Sequence, residues 1–147
     1  MISLDTNILI YATDFRAGTR HDAAHQLVSA AIRVRAGLTE QSIVEFMNVA
    51  IRKAKLPFEE TARYARGYLA HFRLMIPQAT IVEDVLALLG RHKLEVWDAR
   101  LLAVCAAHGC DYLLSEDMQN GAEYGGVTVI DPFNPANSPI LEQVLRT

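Results

Sequence analysis

The chain has 147 residues, of which 51% are hydrophobic and 21% are charged, and its formal net charge is −3. This length and composition predict one folded domain over residues 1–147, with a sizeable core. No apolar run is long enough to span a bilayer, and the first residues lack the basic segment of a signal peptide. The two cysteines, Cys105 and Cys110, match no zinc-site spacing, so we expect reduced thiols and a cytoplasmic location.

Short apolar stretches alternate with longer helical patterns along the chain. Predicted strands cover residues 2–5, 37–39, 74–77, 111–115 and 125–131, and a helix or turn follows the first strand. Predicted helices cover residues 22–36, 41–55, 58–72, 80–92 and 96–109, with Asp22 as the N-cap of the first, Gly37 as its stop and Gly109 ending the last. Residues 132–147 are predicted to form an irregular tail, in which a last helical turn over 140–147 is an option. This alternation indicates an α/β fold with a mainly parallel central sheet.

Four acidic residues occupy positions from which their side chains can meet. Asp5 ends the first predicted strand, Asp117 follows a later one, and Glu45 and Asp98 lie in the first turns of predicted helices. Ligands of parallel α/β sheets collect at the carboxyl ends of the strands. We therefore expect these four carboxylates to converge on one edge of the sheet. Apolar neighbours, such as Trp97 beside Asp98, predict that both helix starts are partly buried.

Each of these acids also has an ordinary structural explanation. Asp5 suits a helix cap, Asp98 a first helical turn, Asp117 a loop turn and Glu45 a solvent-exposed face. Together they are harder to explain as accidents, because clustered carboxylates raise one another's pKa and need a shared proton or a cation. Oxygen donors favour Mg²⁺ or Mn²⁺, and an ion held by carboxylates suits phosphodiester hydrolysis.

Other chemistries lack their sequence motifs. The five histidines are scattered, and the chain contains neither GxxxxGK[ST], nor GxGxxG, nor GxSxG, which disfavours zinc, nucleotide-dependent and serine-hydrolase chemistry. A phosphatase with Asp5 as nucleophile would need a second aspartate two residues further on, where this chain has Asn7. Hydrolysis assisted by an oxygen-ligated metal ion is therefore the favoured chemistry.

Four stretches, in this order, resemble the motifs of the PIN-domain family, and in particular the VapC-like ribonuclease toxins of type II toxin–antitoxin pairs. They are LDTNILI, EQSIVEFMNVAIRK, VWDARLLAVCAAHGCDYLLSEDMQNG and VTVIDPF. The resemblance covers nearly the whole chain. It implies a three-layer α/β/α sandwich, Mg²⁺- or Mn²⁺-dependent endoribonuclease activity on RNA, a homodimer, and a cognate antitoxin whose C-terminal segment blocks the acidic pocket.

The resemblance also implies roles for individual acids. Its catalytic residues are matched by Asp5, Glu45, Asp98 and Asp117. Of these, Asp5, Asp98 and Asp117 are expected to be metal ligands, and either one or two ions would fit. Glu40 and Glu116 lie close to these positions in sequence and are alternatives for the same roles.

Three further polar residues match the family's supports for these carboxylates. Thr6, Asn7 and Ser115 are expected to orient the acids by hydrogen bonds. Position 115 is serine where threonine is commoner in the family, a change that keeps the hydroxyl group.

The charge is distributed unevenly. Residues 51–75 carry six basic and two acidic side chains, whereas residues 76–147 carry four basic and ten acidic ones. A solvated helical face explains the basic segment, and contact with RNA phosphates by Arg52 and Lys53 is the sharper reading. A PIN-like module that binds RNA or protein without nuclease activity is the alternative function.

Overall fold

The computed structural model describes residues 1–146, which form a mixed sheet flanked by helices. The helices are α1 (Thr6–Thr13), α2 (Thr19–Arg33), α3 (Glu40–Arg52), α4 (Phe58–His71), α5 (Ile81–Arg91), α6 (Val96–Ala107) and α7 (Ser138–Val144). The strands are β1 (Ile2–Leu4), β2 (Gly37–Thr39), β3 (Arg73–Met75), β4 (Tyr112–Leu114), β5 (Glu123–Tyr124) and β6 (Val127–Ile130). Their order in the sheet is β3-β2-β1-β4-β6-β5, and only β5 runs antiparallel to its neighbour.

The sheet buries both of its faces, because successive strand residues point to opposite sides. Leu114 and Ile130 pack into one apolar cluster with α1 to α4 and α7, whereas Leu113 and Val129 pack into a second cluster with α5 and α6. Helices therefore cover both faces, and the predicted α/β/α sandwich with a mainly parallel sheet is confirmed.

The limits predicted for the second helix are wrong at both ends. Helix α2 starts three residues before Asp22, after Gly18, whose φ is +61°. It ends at Arg33, and the chain then turns at Arg35, which has a φ of +54°. Gly37 is not a helix stop but part of β2, where a Cβ atom would lie 2.7 Å from the sulfur of Met75. A glycine is needed at position 37 because Met75 packs closely against its backbone, and the prediction took this glycine for the end of a helix.

The tail is more regular than predicted, because residues 132–146 contain a 3₁₀ turn at Pro135–Asn137 and helix α7, which confirms the optional helical turn but begins two residues before it, at Ser138. Ile140, Leu141 and Val144 recur at helical spacing and pack against the larger apolar cluster. The proline in the first turn is compatible with a helix, because the backbone N–H it lacks would have no partner there. The short strand β5 was not predicted.

The connections place the ends of β1, β2 and β4 together at the carboxyl edge of the sheet. Helix α1 follows β1 directly and α3 follows β2 directly, so both helices begin at this edge. Cys105 and Cys110 are buried thiols, as predicted. Within residues 1–146, no helix is long and apolar enough to cross a membrane.

Candidate active site

Asp5 is the most deeply buried acid at this edge, with 8% of its surface exposed. It is the N-cap of α1, and its Oδ1 accepts a hydrogen bond of 2.7 Å from the backbone N–H of Thr6. Its Oδ2 accepts a bond of 2.7 Å from the hydroxyl group of Ser115. Burial raises the pKa of Asp5 to about 6, and the charges of Asp117 and Asp98 add to the rise, while the two hydrogen bonds oppose it. Capping thus explains one oxygen of Asp5, and the second faces the other predicted site residues.

Ser115 connects Asp5 to Asp117. Its hydroxyl oxygen, which donates to Asp5, also accepts a hydrogen bond of 3.3 Å from the backbone N–H of Asp117. The amide group of Asn7 donates to Oδ2 of Asp117. Burial and then the charge of Glu116 raise the pKa of Asp117. Ser115 and Asn7 therefore hold Asp5, which follows β1, and Asp117, which follows β4, at adjoining positions.

Glu45 joins this group from helix α3. Its Oε2 accepts a hydrogen bond of 2.9 Å from the hydroxyl group of Thr6, and its Oε1 accepts one of 3.1 Å from the side chain of Gln41. Thr6 is itself buried beside Asp5. Both oxygens of Glu45 are therefore held by hydrogen bonds, one from Thr6 of α1 and the other from Gln41 of α3.

Asp98 completes the group from the first turn of α6. It lines a cleft of about 410 Å³ together with Asp117, Lys93 and Tyr124. Burial raises the pKa of Asp98, and the charges of Asp117, Glu95 and Glu45 raise it further. Within residues 1–146, Asp98 accepts no hydrogen bond and forms no salt bridge, which leaves both of its oxygens available.

The two alternative acids are both neutralised by arginine. Glu40 lies 3.3 Å from the guanidinium group of Arg100, and Glu116 lies 3.1 Å from that of Arg20. Glu116 also accepts a hydrogen bond of 2.5 Å from the hydroxyl group of Tyr11. The four predicted acids form no such ion pair within the described part of the chain, so negative charge at the edge is concentrated on them.

The starts of α3 and α6 are partly buried, as predicted, since Glu45 and Asp98 are both half-buried. Three of their apolar neighbours do not contribute to this burial, because Val44, Val96 and Trp97 are 52%, 55% and 64% exposed. They are exposed because the inward face of each helix is occupied by other residues, such as Phe46 in α3 and Ala99 in α6, which are fully buried.

Two residues near the acids were missed in the sequence. The amide group of Gln41 donates to Glu45 and also, at 3.1 Å, to the carbonyl oxygen of Trp97. The guanidinium group of Arg100 donates to Oε1 of Gln41 at 2.8 Å. These bonds tie α3 to α6. The spacing of Gln41 and Glu45, four residues apart on one helical face, was the signal available in the sequence.

The two predicted RNA-binding residues lie apart from the acids. Arg52 and Lys53 are exposed at the C-terminal end of α3. Arg52 lies seven positions after Glu45, which is about 10 Å along the helix axis.

The charges of the acids affect one another's pKa, but the side chains do not converge closely enough to form a complete set of metal ligands. No group of three histidine, cysteine, aspartate or glutamate side chains in residues 1–146 converges tightly enough to hold an ion by itself. The chemistry of the donors nevertheless suits a hard divalent cation, since all four acids offer oxygen atoms. Burial and neighbouring negative charges raise the pKa of Asp5, Asp98 and Asp117, and a bound cation would stabilise their charged forms.

The fold and these residues define a class: α/β/α domains with an acidic centre at the carboxyl edge of a mainly parallel sheet. The sequence profile of the PIN domain matches residues 2–119. The chain therefore belongs to the PIN-domain family.

Named relatives and solved structures resemble most of the chain. It is 28% identical over 142 residues to ribonuclease VapC24 of Mycobacterium tuberculosis, covering 90% of this chain and 97% of the relative. A toxin–antitoxin complex from Klebsiella pneumoniae contains a chain with a TM-score of 0.64 and 25% identity, covering 90% of this chain and 98% of that one. VapC20 of Mycobacterium tuberculosis, described as a toxin that cleaves the sarcin–ricin loop, has a TM-score of 0.64 at 20% identity, covering 80% and 90%. Because VapC20 is only 20% identical to this chain, its structural similarity supports the fold alone.

Proposed function

We propose that this protein is an endoribonuclease that hydrolyses RNA phosphodiester bonds and acts as the toxin of a toxin–antitoxin pair. The observation that carries the proposal is the meeting of Asp5, Glu45 and Asp117 through Thr6, Ser115 and Asn7, with Asp98 electrostatically coupled to them. The relative named as a ribonuclease, which matches 90% of this chain, supports the same activity.

We propose that Asp5 and Asp98 hold a divalent cation, Mg²⁺ or Mn²⁺, and that Asp117 holds a second ion or a water. When bound, the ion supplies an activated water and neutralises charge on the leaving oxygen. The chain's own residues would prepare the site: Ser115 and the N–H of Thr6 fix the orientation of Asp5, and Asn7 fixes Asp117. Glu45 would bind or orient the reacting water from the α3 side.

We propose two protein partners. The structural likeness to a chain of a toxin–antitoxin complex supports a cognate antitoxin, and we propose that the C-terminal segment of this antitoxin covers the acidic site. A second copy of the chain is the other partner. Leu74 on β3, Ile76 just after it, and Val82 and Leu86 on α5 are exposed apolar residues, and we propose that they contribute to the homodimer surface. Sedimentation of the 16.3 kDa chain would give a monomer mass if no dimer forms.

The decisive test is cleavage of RNA by the purified chain with Mg²⁺, with Mn²⁺ and with EDTA. We expect cleavage only with metal. Asp98→Asn should reduce the rate by at least the ~100-fold that losing an outer-shell partner of a metal site can cost. Because Asp98 has no hydrogen-bond partner within residues 1–146, the same variant should stay folded.

Glu83→Gln is the matched control, since it removes one exposed negative charge from α5 and should leave cleavage unchanged. Retained cleavage in both Asp5→Asn and Asp98→Asn would contradict the proposal. Tight RNA binding without cleavage by the unmodified chain in either metal would instead favour a PIN-like binding module.

A further inference from the structure

Trp97 is the chain's single tryptophan, and 64% of its surface is exposed directly beside Asp98. It lines a groove of about 440 Å³ between α3 and α6. Glu45, which belongs to the acidic site, lines the same groove. A large aromatic surface therefore lies open to solvent at a point continuous with the site that the proposed function assigns to RNA cleavage.

The Trp97 groove has a fixed floor. Gln41 donates a hydrogen bond to the carbonyl oxygen of Trp97, and Arg100 donates to Gln41 and to Glu40, at 3.1, 2.8 and 3.3 Å. Gln41, at the centre of this network, is 7% exposed, so its own hydrogen bonds are sheltered from water. The backbone that carries the indole ring is thus held in place before any ligand binds, which lowers the entropic cost of binding.

The groove itself carries Glu40, Glu45 and Arg100, and the positive charges that could hold a nucleic acid strand lie beyond it along α3. Val44, Asn48 and Arg52 lie four residues apart on one face of α3, and they lead from the groove to the exposed pair Arg52 and Lys53. These two cations form no salt bridge within residues 1–146. An aromatic surface followed by unpaired positive charges is the arrangement that binds single-stranded nucleic acid through base stacking and phosphate contacts.

We propose that Trp97 stacks against an unpaired base of the RNA substrate, next to the acidic site. This inference rests on the proposed ribonuclease function and deepens it, because it specifies single-stranded RNA, or a loop with a splayed base, as the substrate class. The backbone of the strand then runs along α3 toward Arg52 and Lys53.

The test uses the full chain in EDTA, which prevents metal-dependent cleavage, and follows the fluorescence of Trp97 alone. A short oligoadenylate should quench this fluorescence in a saturable way. An abasic oligomer of the same length carries the same phosphates without bases, and it should bind more weakly and leave the fluorescence unquenched.

Substitutions then separate the ring from its surroundings. Binding of the labelled oligoadenylate, measured by anisotropy, should weaken about 5- to 150-fold in Trp97→Ala. Trp97→Tyr keeps an aromatic ring and should lose much less. Phe15→Ala is the matched control and should leave the affinity unchanged, since Phe15 is an aromatic residue that is 80% exposed between α1 and α2 and does not line the Trp97 groove.

Unchanged Trp97 fluorescence at saturating oligoadenylate, or equal affinity of Trp97→Ala and the unmodified chain, would overturn the inference. If the chain also cleaves RNA with Mg²⁺, only the stacking inference fails. If it neither binds nor cleaves RNA, both proposals fail. A Trp97 signal that responds to protein concentration and not to RNA would assign the groove to a second copy and would also overturn the inference.

Discussion

At the scale of single residues, Asp5 serves two structural purposes with one carboxylate. Its Oδ1 caps helix α1, and its Oδ2 accepts a hydrogen bond from the hydroxyl group of Ser115. The buried position raises the pKa of Asp5 to about 6 because water is excluded from its charged form. A cap alone would be at least as stable on the surface, so burial of this acid beside Asp117 and Asp98 is better explained by a shared cation than by capping.

Ser115→Ala should weaken metal binding while the protein stays folded. Ser115 is fully buried, and its hydroxyl group is the link between Asp5 and Asp117. Loss of such a support costs metal affinity by about 10- to 100-fold. The measurement is the Mg²⁺ concentration that gives half of the maximal rise in the midpoint of thermal unfolding.

Ser115→Thr is the control for this substitution, because it keeps the hydroxyl group and should retain most of the Mg²⁺ effect. A Mg²⁺ titration of Ser115→Ala that superimposes on that of the unmodified chain would show that the hydroxyl group does not support the metal. If NaCl of matched ionic strength raised the midpoint of thermal unfolding as much as Mg²⁺ does, the effect would be general screening of charge and not metal binding.

The sequence predicted which acids would gather and that Thr6, Asn7 and Ser115 would hydrogen-bond to them, but it did not predict the contacts of Gln41. Asp5 and Asp117 were identifiable because each follows a short apolar strand, and parallel strand ends share an edge. Gln41 and Trp97 were not, because their contact joins two helices 56 positions apart in sequence. Periodicity locates a residue on a helical face, but it does not indicate which other helix that face meets.

At the scale of elements, α6 has a strong sequence signal at its C-terminal end. Gly109 lies just after the C-cap residue His108 and has a φ of +74°, as expected for a glycine that ends a helix. A Cβ atom there would meet no atom within 4 Å, so the cost of any other residue comes from the backbone conformation alone.

Gly109→Ala should therefore destabilise the protein by about 1–2 kcal/mol, the usual cost of a left-handed conformation for a residue with a Cβ atom. Gly67→Ala is the matched control with the opposite sign. Gly67 lies inside α4, and its Cβ atom would also meet nothing within 4 Å, so we expect a gain of about 0.5–1 kcal/mol.

Chemical denaturation of the two variants and the unmodified chain gives both values. Destabilisation by both substitutions to the same extent would contradict the assignment, because it would mean that side-chain space, and not the sign of φ, decides the outcome.

The errors in element prediction have one common cause, which is tertiary packing. Gly37 was interpreted as a helix stop, whereas it is a glycine because Met75 of the neighbouring strand leaves no room for a side chain at this position. The tail read as irregular because Pro135 and Pro139 interrupt it, whereas Ile140 and Leu141 find apolar partners on the sheet's larger cluster. Helices α3 and α4 carried clear periodic signals and α6 was apolar over most of its length, and all three were predicted within a few residues.

At the scale of the whole molecule, positive and negative charge occupy different parts of the chain. The basic segment 51–75 covers the end of α3, all of α4 and β3, whereas the acidic site draws on the ends of β1 and β4 and on the first turns of α3 and α6. A polyanionic substrate would be repelled by the acids themselves in the absence of a cation. Attraction must then come from cations outside the site, and Arg52 and Lys53 are the exposed ones on the helix that also carries Glu45.

Reversal of both charges, Arg52→Glu with Lys53→Glu, should weaken RNA binding and flatten its dependence on salt. Each phosphate contact on a single strand contributes about 0.7 to the slope of log affinity against log salt concentration, so two lost contacts should reduce the slope by about 1.4. Arg33→Glu with Arg35→Glu changes the net charge equally but lies before β2, at the opposite edge of the sheet from Asp5, and should leave the slope unchanged. Anisotropy of a labelled oligoadenylate in EDTA over a series of salt concentrations measures both. Equal slopes in the two double variants would mean that net charge attracts the RNA, and that the end of α3 has no special part in holding it.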